Sequence, residues 1–174
     1  VEVIAKEDHY QAEYVIIATG LGFYKPKPMG LSRESEFANI LYSLSSFDFL
    51  KGKRVAIFGG GDSALDWAKE ISRVTDSVHL VHRRREFRGN FETIKDIKEI
   101  KIHTPYVPSQ LIIEDNRLLG VRIKHAEEES YVALFVDYIL VNFGNVPSPV
   151  AFSVPKQNTG IICDEHRCVL NRVY

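Results

Sequence analysis

A short strand, three glycines and a helix follow one another within KGKRVAIFGGGDSALDWAKEISRV at 51–74. The pattern is G-x-G-x-x-A, in which Gly59 permits a tight turn and Gly61 lets the backbone approach a pyrophosphate closely. Ala64 is small enough for the helix to pack near the strand. The N–H groups and partial positive charge at the helix start favour the same anion. Because a strand precedes the pattern and an amphipathic helix follows it, we predict a bound dinucleotide rather than a packing turn.

The strand after that helix ends in the basic run VHLVHRRREFR at 78–88. Proteins that bind NAD carry an acid about 20 positions past the glycines, where it holds the ribose hydroxyls. Here that place is occupied by His82, Arg83 and Arg84. Guanidinium groups match the oxygens of a 2′-phosphate, so the run predicts NADP(H) over NAD(H). Arg88 is a second candidate for this phosphate, His82 either lines the site or packs, and Arg85 is expected to face water.

The overall charge of the chain helps to decide whether the basic run binds a nucleic acid, a membrane surface or a single phosphate. The net charge is −1, so no overall field attracts nucleic acid or a membrane surface. No aromatic platform or recognition helix lies beside the arginines, and we therefore predict neither partner. A solvated basic turn remains the alternative to a phosphate site.

Composition is typical of a folded, water-soluble chain, with 45% hydrophobic and 26% charged residues. The apolar runs are of strand length and too short to span a bilayer, and no signal peptide is visible. Two cysteines in such a chain favour a reducing compartment, so a cytoplasmic location is expected. The sequence begins without Met inside a strand-like run, and we expect a piece of a longer protein.

Hydrophobic periodicity predicts the elements around the glycines. The β-branched runs at 1–6 and 13–20 predict a hairpin across the polar residues between them, and 21–53 is expected to be a weakly structured connection. Strands are predicted at 55–58, 77–82, 100–107 and 137–144. The helix after the glycines carries one apolar face, formed by Ala64, Leu65, Ala68 and Ile71. A second helix is predicted at 90–100 from the spacing of Phe91, Ile94, Ile97 and Ile100.

From Ser109 the apolar residues alternate or run in short segments broken by polar turns, which predicts an antiparallel meander. Strands alternating with helices, with a meander attached, predict an α/β fold: a Rossmann-like NADPH-binding domain whose parallel sheet carries helices. The last strand ends in Asn142, Phe143 and Gly144 at the carboxyl edge, where we expect the backbone to approach the cofactor.

The segments EYVIIATG, GKRVAIFGGGDSALDWA, VHLVHRRREFRG and DYILVNFG stand in the order found in thioredoxin-reductase-like pyridine nucleotide flavoproteins. The chain resembles this superfamily over nearly its whole length, and is most similar to its ferredoxin/flavodoxin–NADP⁺ reductase branch. The resemblance implies an NADP(H)-binding domain at 22–146 inserted into an FAD domain, to which the flanks 1–21 and 147–174 belong. It also implies an FAD-dependent enzyme that is inactive as this piece alone, and FAD bound by the full-length protein near the turn Ala18-Thr19-Gly20.

The predicted cofactor-binding residues are Gly59, Gly60, Gly61, Asp62, Ser63, Ala64, His82, Arg83, Arg84, Arg88, Gly144, Ala18, Thr19 and Gly20. No catalytic side chain is predicted, because hydride transfer depends on how the cofactors are positioned more than on a protein acid.

Thioredoxin reductases carry a redox Cys-x-x-Cys upstream of this glycine loop, and here the corresponding stretch 42–45 reads Tyr-Ser-Leu-Ser. The resemblance therefore implies ferredoxin or flavodoxin as the partner, and a homodimer when full length. Two alternatives remain open: a thioredoxin-reductase-like flavoprotein with another acceptor, and a non-catalytic NADPH-binding module. Cys163, His166 and Cys168 lie within six residues, but they lack a fourth ligand, so we predict a turn and no metal site.

Overall fold

The computed structural model describes residues 2–5, 7–13, 24–147, 156–157 and 160–161. The chain divides into two compact units, one formed by Val1–Lys25 with Asn145–Tyr174 and the other by Pro26–Gly144. The second unit lies inside the predicted range 22–146, and the assignment of the flanks to an FAD domain stays a prediction.

One α-helix and fourteen strands are described. The helix is α1 (Asp62–Ile71), and short 3₁₀ turns occur at Glu34–Glu36, Asp48–Leu50 and Phe91–Thr93. The strands are β1 (Glu2–Ala5), β2 (Asp8–Gln11), β3 (Tyr24–Pro26), β4 (Ile40–Leu41), β5 (Val55–Phe58), β6 (Val78–Val81), β7 (Ile100–His103), β8 (Tyr106–Glu114), β9 (Arg117–His125), β10 (Tyr131–Phe135), β11 (Tyr138–Val141), β12 (Asn145–Pro147), β13 (Lys156–Gln157) and β14 (Gly160–Ile161).

In the first unit, the described strands form two-stranded pairs: β1 with β2, β3 with β12, and β13 with β14. The predicted second strand of the hairpin, 13–20, lies outside the described residues except for Glu13, but the polar connection predicted before it is wrong, because it contains a strand. β1 pairs with Asp8–Gln11, so Ala5 faces Asp8 and the pairing runs through residues expected to form the connection. Every residue of β2 is exposed. A strand without a buried face has no alternation of apolar and polar residues, so hydrophobic periodicity could not predict it.

The second unit is built on a parallel sheet with the strand order β4-β11-β5-β6-β7. Its central strand β5 is buried along its whole length, because both faces of the sheet are covered. This parallel sheet confirms the predicted strands at 55–58 and 77–82 and the buried strand that follows the meander.

Helix α1 covers one face of the sheet. Its predicted apolar face is confirmed, since Ala64, Leu65, Ala68 and Ile71 are buried. They pack on the strand residues that point to the same side, Ile57, Leu80 and Leu140. On the other face lies the meander, three strands in the order β10-β9-β8. Its buried residues meet Ala56, Phe58, Val81, Ile139 and Val141. The meander prediction is confirmed, although its first strand starts at Tyr106 rather than Ser109.

Three further expectations differ from the structure. Strand β4 forms inside the stretch expected to be weakly structured, because the buried Ile40 pairs with Ile139 at the sheet edge. The strand predicted at 100–107 ends at His103, and the chain then enters the meander.

The helix predicted at 90–100 is absent from this described stretch, where one 3₁₀ turn and further turns occur. The amides of Ile94, Ile97 and Ile100 donate to the carbonyl three residues earlier in each case. The apolar residues recur at a constant spacing of three, which matches a 3₁₀ period and not the mixed threes and fours of an α-helix. Ile94 is nevertheless buried beside α1, so the pattern predicted burial correctly and the type of helix wrongly.

Candidate functional site

The strand order brings three predicted segments to one edge of the parallel sheet. Gly59 follows β5, His82 follows β6, and Asn142 follows β11. Because β11, β5 and β6 are neighbours and run parallel, their carboxyl ends meet there. This edge is where open α/β sheets bind ligands.

The glycine loop, residues 59–61, is closely packed at its first two positions. A Cβ on Gly59 would lie 2.8 Å from the Cβ of Ala64 and 2.8 Å from the carbonyl oxygen of Asn142. A Cβ on Gly60 would overlap the imidazole ring of His82. At Gly61 the nearest atom would be an Arg88 guanidinium nitrogen at 3.8 Å, an ordinary contact. Neighbouring atoms therefore leave no room for a side chain at positions 59 and 60. At position 61 they leave the surface open to a ligand.

Helix α1 starts directly behind this loop. Gly61 is its N-cap residue, and no side chain caps the helix. The amides of Ala64 and Leu65 donate to the Gly61 carbonyl, so the first N–H groups of the helix, those of Asp62 and Ser63, have no acceptor within the helix. Such groups, together with the helix dipole, favour an anion at this end.

Residues 82–90, here called the arginine loop, fold back onto the glycine loop. The amides of Arg88 and Gly89 donate to the Gly60 carbonyl at 2.8 and 3.1 Å. The Asn90 amide donates to the Asp62 carboxylate at 3.1 Å, so Asp62 holds this loop as well as starting the helix. The predicted phosphate-binding segments are thereby joined to each other.

Gly89 was missed by the sequence reasoning. A Cβ there would lie 2.7 Å from the Asp62 amide nitrogen, which shows how closely the two loops approach. The presence of a glycine in the stretch FRGN could have indicated this contact, since glycine often occurs where two backbones approach closely.

The His82 side chain, at the start of the arginine loop, packs against Gly60 of the glycine loop. Its ring stacks on Phe87 at 5.1 Å, and Phe87 stacks on Phe91 at 5.0 Å. Its Nε2 lies 3.1 Å from the Glu86 carbonyl oxygen. Burial lowers the pKa of His82, and the charges of Arg83 and Arg84 lower it further. A neutral ring engaged in these contacts supports packing as its role, one of the two interpretations left open by the sequence.

The four arginines divide into two kinds. Arg83, Arg84 and Arg88 are exposed, and none of their guanidinium groups makes a hydrogen bond or ion pair within the described part of the chain. Arg85 instead pairs with Glu127 in the turn after β9, at 2.5 Å. Arg85 is exposed, as expected, and the meander also brings it a carboxylate partner from 42 positions away.

Of the remaining predicted site residues, Gly144 is described by the structure and the Ala18-Thr19-Gly20 turn is not. Gly144 is exposed and has a φ of 80°, a conformation that favours glycine, and its carbonyl accepts from the Lys27 amide at 2.9 Å. Ala18, Thr19 and Gly20, like Cys163, His166 and Cys168, lie outside the described residues.

Tyr42 is the first residue of the stretch 42–45, for which the resemblance to thioredoxin reductases raised the question of a redox thiol pair. It follows β4, and its hydroxyl donates to a Glu34 carboxylate oxygen at 2.8 Å. Burial and this carboxylate raise the pKa of the Tyr42 hydroxyl. The described stretch 42–45 contains no thiol.

A histidine pair lies on the meander side of the same sheet. His79 Nδ1 and His103 Nε2 are 2.9 Å apart and the rings are stacked at 5.2 Å. Burial, the neighbouring His103 and Lys101 lower the pKa of His79 to about 4, and burial and Lys101 lower that of His103. Over the residues that the structure covers, no group of three or more His, Cys, Asp or Glu side chains is arranged to hold a metal ion.

The fold and the site are those of a dinucleotide-binding α/β domain. The family model for pyridine nucleotide-disulphide oxidoreductases matches residues 1–111, more than half of the 174-residue chain. The chain belongs to this family, which confirms the superfamily indicated by its motifs.

Relatives named ferredoxin–NADP reductase are similar to the chain. The protein from Lactobacillus johnsonii is 43% identical over 147 residues, which cover 82% of this chain and 46% of the relative. The protein from Lactococcus lactis subsp. cremoris is 37% identical over 156 residues, covering 87% of this chain and 47% of the relative. The chain spans about half the length of these relatives.

Solved structures of thioredoxin reductases share the fold. The enzyme from T. acidophilum matches with a TM-score of 0.81 and 24% identity, over 99% of this chain and 59% of that chain. The enzyme from Lactococcus lactis matches with a TM-score of 0.73 and 22% identity, over 84% and 49%. These matches confirm the Rossmann-like fold class. In the described portion of the chain, no helix is both long and apolar enough to cross a membrane.

Proposed function

We propose that this chain is the NADP(H)-binding part of an FAD-dependent oxidoreductase. The observation that carries the proposal is the position of three guanidinium groups, those of Arg83, Arg84 and Arg88, which pair with no described residue and lie on a loop hydrogen-bonded to the glycine loop. A basic turn that served only solubility would need no such attachment to a phosphate-binding loop.

The residues present fit the nucleotide. The open surface at Gly61 and the first N–H groups of α1 suit a pyrophosphate, which needs donors and a close backbone. The free guanidinium groups suit a 2′-phosphate, with which they form paired, charge-assisted hydrogen bonds. Residues 82–85, at the start of the arginine loop, contain no carboxylate that could hold a 2′-hydroxyl. These features support NADP(H) over NAD(H).

When bound, NADP(H) and FAD would together supply the chemistry of hydride transfer, in either direction. This chain's residues bind and orient: the glycine loop fixes the pyrophosphate, and the arginine loop fixes the adenosine end. The neutral ring of His82 packs beside Gly60 and so helps to hold the arginine loop against the glycine loop. FAD itself rests on family membership, because Ala18, Thr19 and Gly20 lie outside the described residues.

For the electron acceptor we propose ferredoxin or flavodoxin. The names of the relatives support ferredoxin, and the absence of a thiol from the described stretch 42–45 argues against disulfide reduction by that route. A homodimer and a cytosolic location belong to the same proposal. A flavoprotein with another acceptor, or an NADPH-binding module without turnover, remains the alternative.

Two measurements on the intact protein test this function. Calorimetric titration with NADP⁺ and NAD⁺ is expected to show tighter binding of NADP⁺, and equal affinities would contradict the 2′-phosphate site. NADPH oxidation assayed with ferredoxin, flavodoxin and thioredoxin separates the acceptors. Turnover with thioredoxin alone would refute the proposed acceptor, and no turnover with any acceptor in a protein that binds NADP⁺ would favour the module.

A further inference from the structure

One buried donor near the glycine loop has no partner. The Nδ2 atom of Asn142 is buried and makes no hydrogen bond with any described residue. The Asn142 backbone is well held, since its amide donates to the Phe58 carbonyl at 2.8 Å. A buried polar group without a partner destabilises the folded protein, so such groups are uncommon and invite a functional explanation.

Asn142 is in direct contact with the site. Its carbonyl oxygen and Cβ lie 2.8 and 3.0 Å from the place where a Cβ on Gly59 would stand. The Cβ of Ala64, in the first turn of α1, meets the same point at 2.8 Å. The side chain of Asn142 therefore starts on the helix side of the sheet, beside the loop proposed to hold the pyrophosphate.

The strand order fixes which part of a dinucleotide reaches Asn142. Arg83 and Arg84 follow β6, the glycine loop follows β5, and Asn142 follows β11, on the other side of β5 from the arginines. Neighbouring strands are spaced about 4.8 Å apart. A nucleotide with its 2′-phosphate at β6 and its pyrophosphate at β5 must extend its second half toward β11.

We propose that the side-chain amide of Asn142 binds the nicotinamide half of NADP(H). The inference rests on the proposed function and adds a residue for the end of the nucleotide that the arginines do not reach. Asn142 as a whole is only partly buried, and a half-turn of the amide about the Cβ–Cγ bond would exchange Nδ2 with Oδ1 and place Nδ2 on the less buried side. There it donates to an oxygen of the nicotinamide half, in its ribose hydroxyls or its carboxamide, and so gains an acceptor that none of the described residues provides.

The test compares two ligands with Asn142→Leu and Asn142→Ser in the intact protein. NADP⁺ carries both halves of the nucleotide, whereas 2′,5′-ADP carries only the adenosine end with its phosphates. Loss of one hydrogen bond is expected to weaken NADP⁺ binding about 3- to 10-fold and to leave 2′,5′-ADP binding unchanged. Gln110→Leu, which removes an exposed amide from the meander, is the matched control and should change neither affinity.

The outcomes separate this inference from the proposed function. Unchanged NADP⁺ affinity in both variants overturns the inference, and so does an equal loss of both ligands, which would report a disturbed glycine loop. If the wild-type protein binds neither ligand, the proposed function fails. Asn142→Ser guards against misfolding caused by the apolar leucine, and the thermal unfolding midpoint of each variant verifies that it is folded.

Discussion

Removing two arginines that pair with none of the described residues gives the most direct test of the proposed nucleotide site. In Arg83→Ala combined with Arg84→Ala, we expect NADP⁺ binding to weaken much more than NAD⁺ binding. Each charge-assisted hydrogen bond contributes about 1.5–3 kcal/mol, but the arginines are exposed and water competes for the phosphate. The expected loss is about 2–4 kcal/mol for the pair, or about 30- to 1000-fold in the dissociation constant for NADP⁺.

Arg85→Ala is the matched control for this double variant. It removes a positive charge from the same loop, but Glu127 already engages that guanidinium. At physiological salt the screening length is about 8 Å, so the general loss of charge is expected to weaken NADP⁺ binding less than about threefold. The assay is calorimetric titration of the intact proteins with NADP⁺ and NAD⁺, with thermal unfolding to verify folding.

Two results would refute the reasoning. If the double variant loses NADP⁺ and NAD⁺ affinity equally, the arginines do not bind the 2′-phosphate. If Arg85→Ala is as damaging as the double variant, then total charge matters and the division into paired and unpaired arginines is wrong.

Three further predictions concern the supports of the site and the sheet. Gly60→Ala is expected to destabilise the protein by about 1–3 kcal/mol in urea unfolding and to weaken NADP⁺ binding, because the new Cβ meets the His82 ring; unchanged values would contradict the packing role of that ring. Leu80→Ala, at a residue with no exposed surface beneath α1, is expected to cost about 2–5 kcal/mol, and a loss below 1 kcal/mol, roughly that of an Ile→Val change, would argue against this core. Stability is expected to fall as the pH drops from 6.5 toward 4, because the native state keeps His79 neutral whereas the unfolded chain protonates it; discounted for partial exposure, the loss is about 1 kcal/mol. His79→Gln should lose less over the same interval of pH, and an equal loss would assign the effect to other groups.

Much of the nucleotide site could be predicted from the sequence because its signals are local. A strand, the glycines and an amphipathic helix are contiguous, and each constrains the backbone within a few residues. The basic run likewise follows its strand directly, so its place at the carboxyl edge of a parallel sheet follows from chain order. The spacing of the apolar residues at 91–100 correctly predicted that Ile94 is buried. It did not determine the type of helix, because short turns bury such a side chain as well as an α-helix does.

Contacts between distant segments could be decided only by the tertiary structure. The sequence by itself determined the glycine loop and the basic run that follows β6, on which the prediction of a 2′-phosphate site rests, because these depend on neighbours along the chain. Folding decided that Glu127 engages Arg85, that Asp62 and Gly60 hold the arginine loop, and that Asn142 lies against Gly59. Those pairings arise where separate strands and turns converge, and no local pattern specifies which side chains meet there.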